Sequence, residues 1–208
     1  MDIEYRGANC IVITTKKSTV VIDPKLSLVG LKDVKSNEAV VVATQREFAL
    51  DSEVILADRP GEYEVRDVSI VGVPAKRMTD HDDRQMATLY RITVGGVVFA
   101  VVGHSTMPLN EEQLETLGVI DVAIVPVGGS GYTLDAHQAV GVVRQLDPRV
   151  VIPTHYADAS IKYPVDQMEL EPFIKELSAP AHETLSKWKI KNGILPELMT
   201  VMEIERTA

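Results

Sequence analysis

"VIDVAIVPVGGSGYTLDAHQAVGVVRQLDPRVVIPTHY" (residues 119–156) holds the pattern on which the fold turns. It opens on a short apolar run of strand length. A glycine-rich stretch follows. A helical pattern then begins near Thr133, with Ala136, Ala139, Val140, Val143 and Leu146 along one side. Pro148 limits that helix, and "RVVIPTHY" is a second buried strand that carries His155 at its end. Strand, helix and strand in close succession predict an α/β architecture with helices outside packed sheets.

Upstream, "PLNEEQLETLG" predicts a helix with Asn110 as N-cap, Gln113 completing a capping box and Gly118 as the stop. The first half of the chain reads as strands. "NCIVITTKKSTVVIDP" is a hairpin about Lys16, Lys17 and Ser18, and "AVVVA" (39–43) is a strand covered on both faces. "ATLYRITVGGVVFAVVGH" turns at Gly95 and Gly96, which can adopt the positive φ of a tight hairpin. Downstream, a helix is expected from near Pro172, and "TVMEIE" reads as a closing strand. No repeat, linker or low-complexity tract interrupts the pattern, so one domain over residues 1–208 is expected. Its site should lie on the loops after Ala43, Ala75, Gly103, Val127 and Pro153.

Bulk properties narrow the function classes. The 208 residues are 45% hydrophobic and 25% charged, with a net charge of −9. Such an acidic surface disfavours general nucleic-acid binding. Cys10 is the only cysteine, which fits a reducing compartment. Neither a signal peptide nor an apolar run of spanning length is read, so a cytoplasmic protein with no membrane partner is expected.

The ordered motifs "MDIEYRGANC…VVIDP", "RPGEYEVRDVSIVGVPA", "VVGHSTMPLNEEQLETLGVIDVAIVPVGG", "GYTLDAHQAV" and "DPRVVIPTHY" resemble those of metallo-β-lactamase-fold hydrolases. The branch they most resemble is that of small proteins related to L-ascorbate-6-phosphate lactonase. The resemblance covers residues 1 to about 178 and loosely beyond. It implies a four-layer αββα sandwich with two metal ions at the sheet edges, activating a water. It also implies a His-x-His-x-Asp-His motif after a buried strand. In this chain the motif positions fall on Thr44, Arg46, Phe48 and Ala49. The remaining ligand positions fall on Ala8, near Arg77, on His104 and on His155, and only His155 matches by type. Asp23, Gly61, Glu62 and the "PVGG" loop stand where that family has them.

A catalytic zinc generally takes three protein ligands, and His104 with His155 makes two. The expectation is therefore a degenerate metal motif, a non-catalytic homologue and no cofactor. Its role would be to bind a small anionic ligand or a protein partner, and a homo-oligomer stays open. The ligand pocket would draw on Arg46, Arg77, His104 and His155. Gly128, Gly129, Tyr132 and Thr133 would form its rim, and Asp23 would be structural beside it. The two arginines would pair with Asp23, because an unpaired buried carboxylate is costly; alternatively they would bind the anion. The rival reading is a lactone or phosphoester hydrolase, with zinc or manganese in a rearranged site around His104 and His155 and a donor from the His81 loop. An acid–base pair of the two imidazoles without metal is a further route. His137 is read as a surface residue, His182 as a loop residue, and Cys10 as a small buried apolar group.

Overall fold

A computed structural model describes residues 1–35, 38–51, 55–79 and 87–207. In chain order the strands begin with β1 (Asp2–Gly7), β2 (Cys10–Thr14), β3 (Thr19–Ile22), β4 (Val40–Val42) and β5 (Leu56–Ala57). They continue with β6 (Gly61–Val65), β7 (Val68–Ala75), β8 (Ala87–Val94), β9 (Val97–Val101), β10 (Val122–Pro126) and β11 (Val150–Thr154). β12 (Ala181–Leu185), β13 (Trp188–Lys189) and β14 (Thr200–Ile204) close the series. The helices are α1 (Glu111–Leu117), α2 (Ala136–Leu146) and α3 (Glu171–Leu177). One sheet runs β13-β1-β2-β3-β4-β5, and the other runs β12-β14-β11-β10-β9-β8-β7-β6.

Local chemistry explains the connections. β2 and β3 form the expected hairpin, closed by the Thr15 hydroxyl accepting from the Ser18 amide at 2.9 Å. Gly95 and Gly96 join β8 to β9 with φ of +58° and +79°, a conformation that costs glycine little. The Asn110–Gln113 capping box starts α1 as anticipated. α2 begins later than the apolar pattern suggests. Asp135 accepts from the Gln138 amide at 2.8 Å while the Gln138 side chain returns to the Asp135 amide, so this box sets the start at Ala136. His182 is not in a loop. It lies on the edge strand β12, whose polar, largely exposed sequence carries no alternating signal, and it pairs with Glu203 at 2.9 Å.

Between the sheets, Ile22 and Val42 meet Ile92, Phe99, Ile124 and Ile152. Each such side chain contributes about 1.5–3 kcal/mol by leaving water. The other face of the larger sheet, including Ala123, Val125 and Val151, packs on Val140 and Val143 of α2 and Phe173 of α3. Both faces being covered is why these strands are apolar throughout. On the smaller sheet, Cys10, Val12 and Val21 are covered by Leu26 and Val29 of a 3-10 turn, with Ile161. This is the four-layer α/β sandwich that the resemblance implies. Among the described residues, a 3-10 turn and loops supply the layer over the smaller sheet. No helix among them is long and apolar enough to cross a membrane.

Candidate functional site

β9, β10 and β11 run parallel, so their carboxyl ends open on one edge of the larger sheet, where ligands of α/β proteins commonly bind. His104 lies beyond the end of β9 and His155 beyond that of β11. They are 4% and 2% exposed. Their rings meet edge to face at 4.9 Å, and the two Nε2 atoms stand 3.3 Å apart. Close backbone approach makes this possible. A Cβ on Gly103 would lie 2.7 Å from the Thr44 Cβ, and one on Gly128 would collide with the His155 carbonyl oxygen.

Ala8, Asp23 and His155 hold φ of +47°, +46° and +57° without being glycine. Left-handed backbone costs roughly 1–2 kcal/mol per such residue, and it persists where surrounding contacts impose it. Here the His155 amide donates to the Ala8 carbonyl at 2.9 Å, locking two of the three together.

A directed chain of hydrogen bonds orients both rings. The Thr154 hydroxyl donates to Asn9 Oδ1 at 3.1 Å, and Asn9 Nδ2 stands 3.2 Å from His104 Nδ1. The imidazole–imidazole contact comes next. His155 Nδ1 then reaches Gln167 Oε1 at 3.0 Å, and Gln167 Nε2 donates to the Val165 carbonyl. With the Asn9 amide placed by this network, each link has one donor and one acceptor. The proton then sits on Nε2 of His104 and on Nδ1 of His155. Burial drives the His104 pKa well below its usual value and that of His155 down to about 4, so both rings are neutral at pH 7. Tyr132 stacks edge-on to His104 at 4.7 Å, Phe48 lies 5.0 Å from the same ring, and Tyr163 lies 4.6 Å from His155.

The polar loop after β4 behaves differently. Asp23 is buried, and its carboxylate accepts from the Thr44 amide and the Thr44 hydroxyl, both at 2.7 Å. Burial raises its pKa to about 7 against the pull of those two bonds. The expected pairing of Asp23 with an arginine is therefore corrected: Thr44 is the partner. Parallel pairing of β3 with β4 places the two residues side by side. Arg46 points outward, 76% exposed, to Asp58 at 3.1 Å. Arg77 approaches Gln45 Oε1 at 3.4 Å and Glu47 at 3.8 Å. Neither arginine lines the cavity beside the histidines.

That cavity measures about 250 Å³. Its floor is Asn9, Asp23, His104 and His155, and Tyr132 closes one side. Gly128, Gly129 and Thr133, expected on the rim with Tyr132, are not among its lining residues. Thr133 is buried behind it, 3.5 Å from Gln167 Oε1, and Gly129 turns the loop by accepting from the Tyr132 and Thr133 amides. Burial raises the Tyr132 pKa, which keeps its phenol protonated. The Ser105 hydroxyl beside His104 is buried and has no hydrogen-bond partner among the described residues. Neither these nor any other described residues form a cluster of three or more His, Cys, Asp or Glu side chains able to hold a metal. The His81 loop, with Asp80, Asp82 and Asp83, lies outside the described residues. His137 is exposed on α2 and pairs with Glu176, and the buried Cys10 thiol is pushed up in pKa by burial. The residue pattern had not singled out Asn9, Gln167 or the Thr44 lock. Only the adjacency of "VIDP" and "VVVAT" on paired strands could have signalled the last of these.

The family model for the Beta-lactamase superfamily domain matches residues 2–155. A UPF0173 metal-dependent hydrolase of Pyrococcus furiosus is 33% identical over 99 residues, 46% of this chain and 44% of that protein. The match thus spans less than half the length of that relative. A UPF0173 metal-dependent hydrolase of Listeria innocua is 22% identical over 85% of this chain and 92% of its own. A solved metallo-β-lactamase superfamily structure from Thermotoga maritima superposes with a TM-score of 0.74 at 24% identity, covering 98% of this chain and 100% of that one. The metallo-β-lactamase fold is thereby established. The relatives' names overturn two expectations: a non-catalytic homologue, and a protein without a cofactor.

Proposed function

The chain belongs to the Beta-lactamase superfamily domain family, and from that premise we propose that it is a metal-dependent hydrolase of lactone or phosphoester type, working at His104 and His155. One observation carries the proposal: two neutral imidazoles at the carboxyl ends of parallel strands, with their Nε2 atoms 3.3 Å apart. Two nitrogens bound at about 2.0–2.1 Å to a tetrahedral ion also stand roughly 3.3 Å apart. The donor chemistry fits as well, since neutral imidazole is a good ligand for zinc and its neighbours. Two protein ligands are fewer than the usual three, so these residues would hold the ion loosely.

A divalent cation held by these two nitrogens would polarise the scissile group and lower the pKa of water. The chain's own residues do the rest. Burial keeps both rings neutral at pH 7, and each Nε2 offers a lone pair when its ring carries the proton on Nδ1. Gln167 already accepts from His155 Nδ1–H. Asn9 can do the same for His104 by turning its amide over, so that Oδ1 accepts from Nδ1–H and Nδ2 donates to the Thr154 hydroxyl. Phe48 shields the His104 ring from solvent. The protonated Tyr132 phenol faces the cavity as a donor for negative charge developing on the substrate. The motifs "PGEYEV" and "IPTHY" support placing the chain beside the L-ascorbate-6-phosphate lactonase branch, with a metal motif reduced to these two imidazoles.

The test is metal analysis of protein purified from cells supplied with zinc, manganese and iron, followed by assays on lactones and phosphodiesters. Bound metal together with hydrolysis, both lost in His155→Ala, is the expected result. Protein that takes up no metal at micromolar free ion and turns over no substrate of either class would sink the proposal.

A further inference from the structure

The cavity is built asymmetrically. One wall is the 3-10 turn Leu26–Val29, from which Leu26, Leu28 and Val29 reach the cavity, continued by Phe48 and Pro164. Leu28 is 51% exposed, an apolar side chain on the cavity lining that no described residue covers fully. Lys25 and Lys162 line the cavity at the two ends of this turn. Backbone bonds fix both positions: the Lys25 amide donates to the Phe48 carbonyl at 3.0 Å, and the Lys162 amide donates to the Val29 carbonyl at 2.9 Å. The Lys162 stem lies over Gly30, where a Cβ would meet it at 3.2–3.5 Å. Neither ammonium forms an ion pair among the described residues. The two carboxylates on the cavity wall are already engaged, Asp23 by Thr44 and Glu47 by Arg77. The half-buried Lys25 and the exposed Lys162 thus place two cations, unpaired among the described residues, beside one apolar wall of the cavity in a chain of net charge −9.

We infer that the substrate is an amphipathic anion, with an apolar body on the Leu26–Val29 turn and Phe48 and a carboxylate or phosphate monoester held by Lys25 and Lys162. This rests on the hydrolase reading for its catalytic end and deepens it by naming the substrate class. At about 250 Å³ the cavity lies just below the range of roughly 300–1,000 Å³ usual for small-molecule pockets, so the body is small. Anion binding by Arg46 and Arg77 was the alternative expectation; Arg46 is turned to Asp58 and Arg77 is engaged by Gln45 and Glu47, and the lysines take that role.

Binding of hexanoate, hexyl phosphate and 1-hexanol, measured by calorimetry on the wild-type chain and on the Lys25→Met/Lys162→Met variant, tests the inference without requiring turnover. Both anions should bind roughly tenfold or more tightly than the alcohol, and more weakly as salt rises. The double variant should lose that advantage, bind 1-hexanol as before and keep its melting temperature. Acetate and inorganic phosphate, which lack the apolar body, should bind at least tenfold more weakly than their hexyl counterparts. Equal binding of alcohol and anions, or an advantage that survives loss of both lysines, overturns the inference. A chain that binds hexanoate through the lysines yet hydrolyses nothing would sink the hydrolase reading and leave this inference standing.

Discussion

The loop after β4 and the loops after β9 and β11 wall the same cavity, yet their polar groups are arranged in opposite ways. On the β4 side, Thr44 spends its amide and hydroxyl on Asp23, Glu47 faces Arg77, and Arg46 turns out to Asp58. Those side chains are occupied with one another. On the other side, amides hold two buried imidazoles from behind, so that their Nε2 atoms converge at 3.3 Å. One wall is consumed in holding the structure, while the other offers donors for chemistry. Equivalent positions at a strand end thus become structural or reactive according to whether a neighbouring side chain already satisfies them.

The sharpest way to break this contrast is at the histidines. His104→Ala and His155→Ala should each reduce metal content and hydrolysis by more than the roughly 100-fold upper end that outer positions cost. Thr44→Val should leave metal content unchanged and lower stability by about 1–3 kcal/mol in urea unfolding, because a buried carboxylate loses a donor. If Thr44→Val strips the metal and His155→Ala does not, the division is reversed.

Asn9→Ala and Gln167→Ala sharpen the comparison by testing the support behind the rings. Each should weaken metal affinity by about 10–100-fold in chelator competition, with the fold intact by circular dichroism.

Stability against pH should separate the two walls by sign. The His155 pKa falls from its ordinary 6.5 to about 4, so its contribution is present above pH 6.5 and is lost as pH falls through about 4. That of Asp23 rises from 3.8 to about 7, so its contribution is present below pH 3.8 and is lost as pH rises through about 7. In metal-free protein, Asp23→Asn should flatten the loss between pH 4 and 7, and His155→Gln should flatten the acid limb. Identical pH profiles for the two variants would contradict the assignment.

The smallest effect is expected at Arg46. Its exposed pair with Asp58 should make Arg46→Ala cost no more than about 1 kcal/mol, with hydrolysis unchanged. A large loss of activity there would return the arginine to the site.

Much of the scaffold was legible from local signals. Capping boxes, the Gly95–Gly96 turn and apolar runs of strand length act over a few residues, and so they survive in one dimension. His104 and His155 stood out because a histidine at the end of a buried strand is conspicuous. The purpose of the β4 loop was misread, because loss of ligand residues looks alike whether a site has closed or changed its holders. Lys25, Lys162, Asn9 and Gln167 gave no local signal at all.

The sequence by itself determined the α/β sandwich, its strand ends and the two imidazoles on them, since periodicity and capping are properties of neighbouring residues. Only the tertiary structure decided that Asp23 belongs to Thr44, that Arg46 faces solvent, and that two histidines 51 residues apart in the chain touch. Those outcomes depend on which buried polar groups find partners across the fold. No stretch of chain contains both members of such a pair.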